Sequence, residues 1–145
     1  MKINIFLLFL FIGTLGYSQN WNADFDDAQK KAVSENKNIL LVFSGSDWCA
    51  PCIKLDKTIW QSEEFNKEAN EYWILYKADF PKKKANLLTS ELTSKNKKLA
   101  DIYNKSGNFP LVLLLDPLGT VLVITGYKNV TPQEYINIIH SFEKK

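Results

Sequence analysis

The chain has 145 residues, a formal net charge of +2, and 46% hydrophobic and 23% charged residues, the balance of an ordinary soluble globule rather than a disordered or membrane-embedded chain. All 18 basic residues are lysines; without a guanidinium fork, and with so little net charge, the sequence lacks the footprint of a nucleic-acid or phosphopeptide reader. The length suits one domain, large enough to bury a core without staples.

Met1-Lys2, an apolar run from Ile5 to Ile12 extended through Leu15, and Gly16-Tyr17-Ser18 read as an export signal. The run is shorter than the roughly 20 apolar residues that a membrane span needs, and no cysteine follows it to carry a lipid anchor. Residues 1–18 are therefore expected to be a signal peptide and residues 19–145 an exported, periplasmic domain.

Trp21, Phe25, Ala28, Ala32 and Val33 fall at helical spacing and predict a helix from about Asp24 to Glu35. Ile39 to Phe43 is a short continuous apolar run bounded by polar and Gly-containing turns, the pattern of a strand buried on both faces. Ser44-Gly45-Ser46-Asp47 then turns into a mostly helical stretch from Cys52 to Trp60, whose first turn tolerates Pro51. Ser62 caps a further helical piece, with Glu63 and Glu64 suiting the dipole of its first turn.

Trp73 to Ala78 is a second apolar strand. Pro81 and Lys82-Lys83-Lys84 form a solvated loop, and Leu87 to Tyr103 is largely helical. Leu111 to Leu115 and Val121 to Thr125 flank the turn Asp116-Pro117-Leu118-Gly119 and so make an antiparallel hairpin. Thr131-Pro132-Gln133-Glu134 is a capping box that opens a helix to about Phe142. The order implies an α/β fold: a parallel strand pair plus a C-terminal antiparallel hairpin in a mixed four-stranded sheet, with helices on both faces.

The chain's two cysteines stand as Cys49-Ala50-Pro51-Cys52 between the first buried strand and a helix. Four readings compete. Structural zinc needs four ligands, and the chain offers this pair and the single histidine His140. A structural disulfide closing so small a ring stabilises little. An inert pair kept for packing is the third reading, and a redox pair is the fourth. Position favours redox: Cys49 lies where a strand ends and a helix starts, facing unsatisfied N–H groups and the positive end of the dipole. At pH 7 an ordinary cysteine is only about 3% thiolate, and that setting raises the share. Cys52, one turn in, is expected to be more buried and to act as the resolving thiol.

Phe43-Ser44-Gly45-Ser46-Asp47-Trp48-Cys49-Ala50-Pro51-Cys52 resembles the active-site segment of the thioredoxin family, whose usual form is Trp-Cys-Gly-Pro-Cys. Asn108-Phe109-Pro110-Leu111, ahead of a strand, resembles the family's second hallmark, a cis-proline facing the cysteines. Gly-Ser-Asp-Trp-Cys and Cys-Ile-Lys-Leu-Asp-Lys look like segments of exported members, and the element order is similar from Asp24 to Phe142. The resemblance implies a thioredoxin fold and a thiol–disulfide oxidoreductase acting on cysteines of exported proteins. It implies Cys49 as nucleophile, Cys52 as resolving thiol, and Phe109 and Pro110 presenting an extended substrate peptide while blocking metal capture. Trp48 and Pro51 shape the site. The redox-active disulfide Cys49–Cys52 serves in place of any cofactor, and no metal is expected. Expected partners are protein thiols and disulfides and a membrane electron donor, with no nucleic acid; the chain is expected to be a monomer.

Two departures from the family matter. Ala50-Pro51 replaces Gly-Pro, and Leu41-Val42-Phe43 lacks the buried acid that takes the resolving cysteine's proton, leaving Asp47, Asp79 or water for that task. Oxidant members of the wider fold tend to place a histidine between the cysteines; Ala50-Pro51 supplies none, which favours a reductant. The alternatives are a disulfide oxidase or isomerase, and a non-catalytic module that binds partners through a Trp48–Phe109 surface. Trp48 reads as substrate-facing rather than as a lid, Lys82-Lys83-Lys84 as solvated rather than docking, and His140 as a surface or boundary residue.

Overall fold

The computed structural model describes residues 20–143, so the expected signal at 1–18 lies outside the described residues. In chain order come β1 (Trp21–Asn22), α1 (Phe25–Glu35), β2 (Asn38–Ser44), α2 (Ala50–Leu55) running on as a π-helical turn (Asp56–Trp60), α3 (Glu63–Tyr72) and β3 (Trp73–Asp79). A 3-10 turn (Lys84–Asn86), α4 (Ser90–Tyr103), β4 (Leu111–Leu115), β5 (Val121–Thr125) and α5 (Pro132–His140) follow.

The sheet has five strands in the order β1-β3-β2-β4-β5, one more than the four expected. β2 pairs in parallel with β3 and antiparallel with β4, and β4 pairs antiparallel with β5. The extra strand is β1, a two-residue parallel edge on β3 (Trp21 opposite Leu75, Asn22 opposite Tyr76). Trp21 therefore belongs to the sheet and does not extend the helical spacing of α1. So short a strand has no alternation to read. Its pairing and the Asn22 side-chain amide, donating to the Leu75 carbonyl at 3.0 Å, hold it in place.

Caps set the helix ends. Asp24 accepts from the N–H groups of Asp26 and Asp27, Ser62 from Phe65, and Thr131 from Glu134 with the reciprocal Glu134–Thr131 bond of the capping box. Thr89 takes the N–H of Leu92, so α4 starts at Ser90 and the expected start at Leu87 is too early. In the hairpin turn the Asp116 carboxylate takes the N–H groups of Leu118 and Thr120, and Gly119 sits at φ +92°, where a side chain is strained.

Alternation along the central strand builds two cores. Leu40 and Val42 face a layer of α2, α3 and α5 with Leu55, Trp60, Phe65, Tyr135 and Ile139. Ile39, Leu41 and Phe43 face α1 and α4 with Phe25, Ala28, Ala32 and Leu99. Both faces of β2 are thus buried, as its continuous apolar run requires. Burial pushes the Tyr76 hydroxyl, which donates to the Asn96 side-chain carbonyl at 2.8 Å, up to about 12. The β2 end, buried and paired on both sides, presents the turn that follows it.

Candidate active site

β2 ends at Ser44, and the chain turns so that the Gly45 carbonyl accepts the N–H groups of Trp48 at 3.3 Å and Cys49 at 2.9 Å. That turn places Cys49 as the N-cap of α2, with its sulfur accepting the Cys52 N–H at 3.3 Å. Cys49 and Cys52 are joined as a disulfide across a Cα–Cα distance of 5.2 Å. Pro51 lies in the first turn, where its missing N–H breaks no helical bond. Both cysteines are buried, Cys49 at 5% and Cys52 at 3% exposure; in the disulfide form the expected difference in burial is small.

Trp48 is 40% exposed, yet its ring is held on several sides. Its indole N–H donates to the Phe80 carbonyl at 2.7 Å, Phe109 stands edge-on at 5.4 Å, and the Lys82 ammonium lies 3.9 Å from the ring centroid. Beneath it Gly45 leaves room that a Cβ would fill, at 2.4 Å from Cε2. Phe109 also meets Phe80 at 5.5 Å, so an aromatic cluster borders the disulfide. The Phe109–Pro110 peptide bond is cis. Buried Asn104 holds the loop before it, donating to the Asn108 carbonyl and accepting its N–H, each at 2.9 Å. Trp48, Cys49, Pro51, Cys52 and Phe109 are thus gathered around one turn, with Pro110 directly after Phe109.

The carboxylates divide by task. Asp47 accepts the backbone N–H groups of Lys82 and Lys83 and the Asn86 side-chain amide; these bonds, the Lys82 N–H foremost, hold its carboxyl below the usual range. Asp79 accepts the Ser46 N–H and hydroxyl. Neither is among the residues lining the cleft onto which Cys52 opens. Asp56 is: one helical turn beyond Cys52, it joins Ser44, Cys52, Gln61 and Lys77 around a cleft of about 290 Å³ and pairs with the Lys77 ammonium at 2.8 Å. Sequence reasoning passed over Asp56; its signal was the i+4 spacing from Cys52, which puts both on one helix face. Lys77, Gly45 and Asn104 were missed too, since their roles arise only through the neighbours that the fold supplies.

His140 is half-buried, the boundary position expected of it, and it is not free. It bridges α5 to α3, with Nε2 2.7 Å from a Glu68 oxygen and Nδ1 against Glu143, and stacks near Trp73 at 4.8 Å. Among the described residues no group of three or more His, Cys, Asp or Glu is placed to hold a metal ion.

Residues 25–143 match the family described as "Thioredoxin-like domain". The "Disulfide bond reductase DsbH" of Chlamydia pneumoniae is 32% identical over 117 residues, covering 81% of this chain and 69% of that protein. The same organism's "Thioredoxin-related protein DsbJ" is 31% identical over 83 residues, 52% of this chain and 24% of its own length. A solved structure of a "DsbH Oxidoreductase" superposes with a TM-score of 0.79 at 31% identity, covering 86% of this chain and 85% of that one.

Proposed function

The chain belongs to the thioredoxin-like family, a thiol–disulfide oxidoreductase by its Cys49–Cys52 pair, and from that premise we propose that it is exported and reduces disulfides of exported proteins. The observation that carries the reading is the Cys49 sulfur at the head of α2, taking the Cys52 N–H while bonded to the Cys52 sulfur. Reduced, that sulfur is a thiolate stabilised by the same N–H and by the helix start.

In the forward direction the Cys49 thiolate attacks one sulfur of a substrate disulfide. A Cys49–substrate bond forms, the substrate S–S bond breaks, and the departing sulfur takes a proton. Cys52 then gives up its proton and attacks Cys49 Sγ, releasing the second substrate thiol and closing the Cys49–Cys52 disulfide. Two electrons and two protons have passed to the substrate, so a dithiol donor, expected at the membrane, must reduce the pair again. Asp56, facing the cleft shared with Cys52, is the proton acceptor in this scheme in place of the acid missing from β2. Trp48, Pro51, Phe109 and Pro110 form the surface on which an extended substrate segment lies. Support for the reductant direction comes from the neutral Ala50-Pro51 dipeptide and from the reductase relative.

A Cys52→Ser protein tests this reading. It should accumulate a mixed disulfide between Cys49 and substrate, visible on non-reducing gels, whereas Cys49→Ser should form none and reduce nothing. Retained disulfide reduction in Cys49→Ser overturns the reading.

A further inference from the structure

The loop carrying Lys82-Lys83-Lys84 is fastened to the active-site turn. The Asp47 carboxylate takes the Lys82 and Lys83 N–H groups, each at 2.9 Å, and the Asn86 amide at 3.0 Å. The base of the loop is tied as well, by the Phe80 N–H on the Ser44 carbonyl at 2.8 Å and the Trp48 indole on the Phe80 carbonyl at 2.7 Å. Its first lysine lies over the ring of Trp48, the residue next to Cys49. A merely solvated lysine run needs no such anchoring.

Charge is distributed unevenly around this contact. Asp47, Asp79 and Asp56 each face an internal partner: the loop, Ser46 and Lys77 respectively. Lys82, Lys83 and Lys84 are exposed, and among the described residues none of the ion pairs includes them. Lys57, exposed on the edge of the Cys52 cleft, adds to them. In a chain of net charge +2, this is a local concentration of positive charge at the mouth of the redox site, with Lys83 also acting on the Asp47 carboxylate.

Resting on the oxidoreductase reading above, we propose that the fastened lysine loop docks acidic residues flanking the target cysteine, so that the protein selects acid-flanked disulfides. A substrate segment lying across Trp48 advances about 3.3 Å per residue, which brings residues a few positions from its cysteine against the loop. Exposed pairs are individually weak, so the preference comes from several acting together and through encounter rather than turnover.

The test uses two synthetic peptides with the same intramolecular disulfide, one flanked by aspartates and the other by asparagines, reduced by the dithiol form of the full protein. The acid-flanked peptide is expected to be favoured about five- to tenfold in kcat/KM at low salt, with similar kcat. At about 1 M salt, where the Debye length is about 3 Å, the ratio should approach one. In a Lys83→Gln/Lys84→Gln protein, which keeps Lys82 on Trp48, the low-salt ratio should fall to within about twofold. A ratio near one in the parent at low salt, or a high ratio kept by the double variant, overturns the proposal. If neither peptide is reduced, the oxidoreductase reading itself fails.

Discussion

Replacing Gly45 by alanine tests how the disulfide's aromatic border is built. A Cβ there would lie 2.4 Å from Cε2 and 2.6 Å from Cζ2 and Nε1 of the Trp48 indole. The backbone cannot yield easily, because the Gly45 carbonyl holds both the Trp48 and Cys49 N–H groups, so the ring must swing out. Doing so gives up the indole bond to Phe80, worth about 1 kcal/mol. It also gives up the edge-on contact with Phe109, about 0.5–1.5 kcal/mol, and the Lys82 contact, about 0.5–1 kcal/mol at an exposed site. Alanine recovers about 0.4–1 kcal/mol by restricting the unfolded chain. The balance is a destabilisation of about 1–3 kcal/mol, or a Tm drop of roughly 4–12 °C for a domain of this size. Urea unfolding measures the first quantity. A rise in iodide quenching reports the ring, since Trp60 and Trp73 are buried at 1% and 2% exposure and half-buried Trp21, packed on the other core, gives a background that the substitution leaves unchanged. An alanine protein as stable as its parent, with unchanged quenching, would refute this account of Trp48.

Asp56→Asn should slow decay of the mixed disulfide about 10- to 100-fold near pH 7, at or below the foot of the usual range for a general base because the cleft admits water. Followed by rapid quench, the deficit should narrow steadily as pH rises and hydroxide replaces the carboxylate as base; an equal deficit at every pH contradicts the role. Tyr135→Phe should cost about 1–2 kcal/mol in denaturant unfolding, because the buried hydroxyl donates to the Gly126 carbonyl at 2.8 Å; a change below about 0.3 kcal/mol contradicts it. Four carboxyls lie below their usual range in the folded protein: Asp24 through the Lys95 bond, Asp47 through the Lys82 N–H, Asp116 through the Thr120 N–H and Glu134 through the Thr131 N–H. Their contribution is complete above the unfolded values and lost as pH falls through the lowered ones, so Tm by circular dichroism should drop below about pH 4. Tyr76, pushed up to about 12, contributes below about pH 10 and loses that contribution as pH rises further. A Tm that peaks near pH 3 would contradict the carboxylate part.

The elements with a strong local signal were legible. The continuous apolar run of β2, the Thr131–Glu134 box and the Asp116–Gly119 turn each carry a mechanism in their own residues. So does the pair Cys49–Cys52, because strand-then-helix context and the i, i+3 spacing together place one sulfur at a helix start. β1 was illegible: two residues carry no period, and β3 alone makes them a strand. The start of α4 was misjudged because Leu87 and Leu88 continue an apolar pattern, while the boundary is decided by the Thr89 cap. Roles that depend on pairing across the fold also escaped the sequence. Lys77 comes from β3 and Asp56 from the turn after α2, and only the register of the parallel pair brings them together. Likewise, nothing local tells that Asp47 fastens residues some 35 positions onward.

The reduction potential of the Cys49–Cys52 pair, measured by equilibration with thiol buffers and trapping of free thiols, tests the central claim most directly. A reductant predicts a value near about −270 mV. A value near about −120 to −180 mV would contradict that direction and assign the protein to disulfide formation or isomerisation. Failure to form the disulfide in any buffer would contradict the oxidoreductase account altogether.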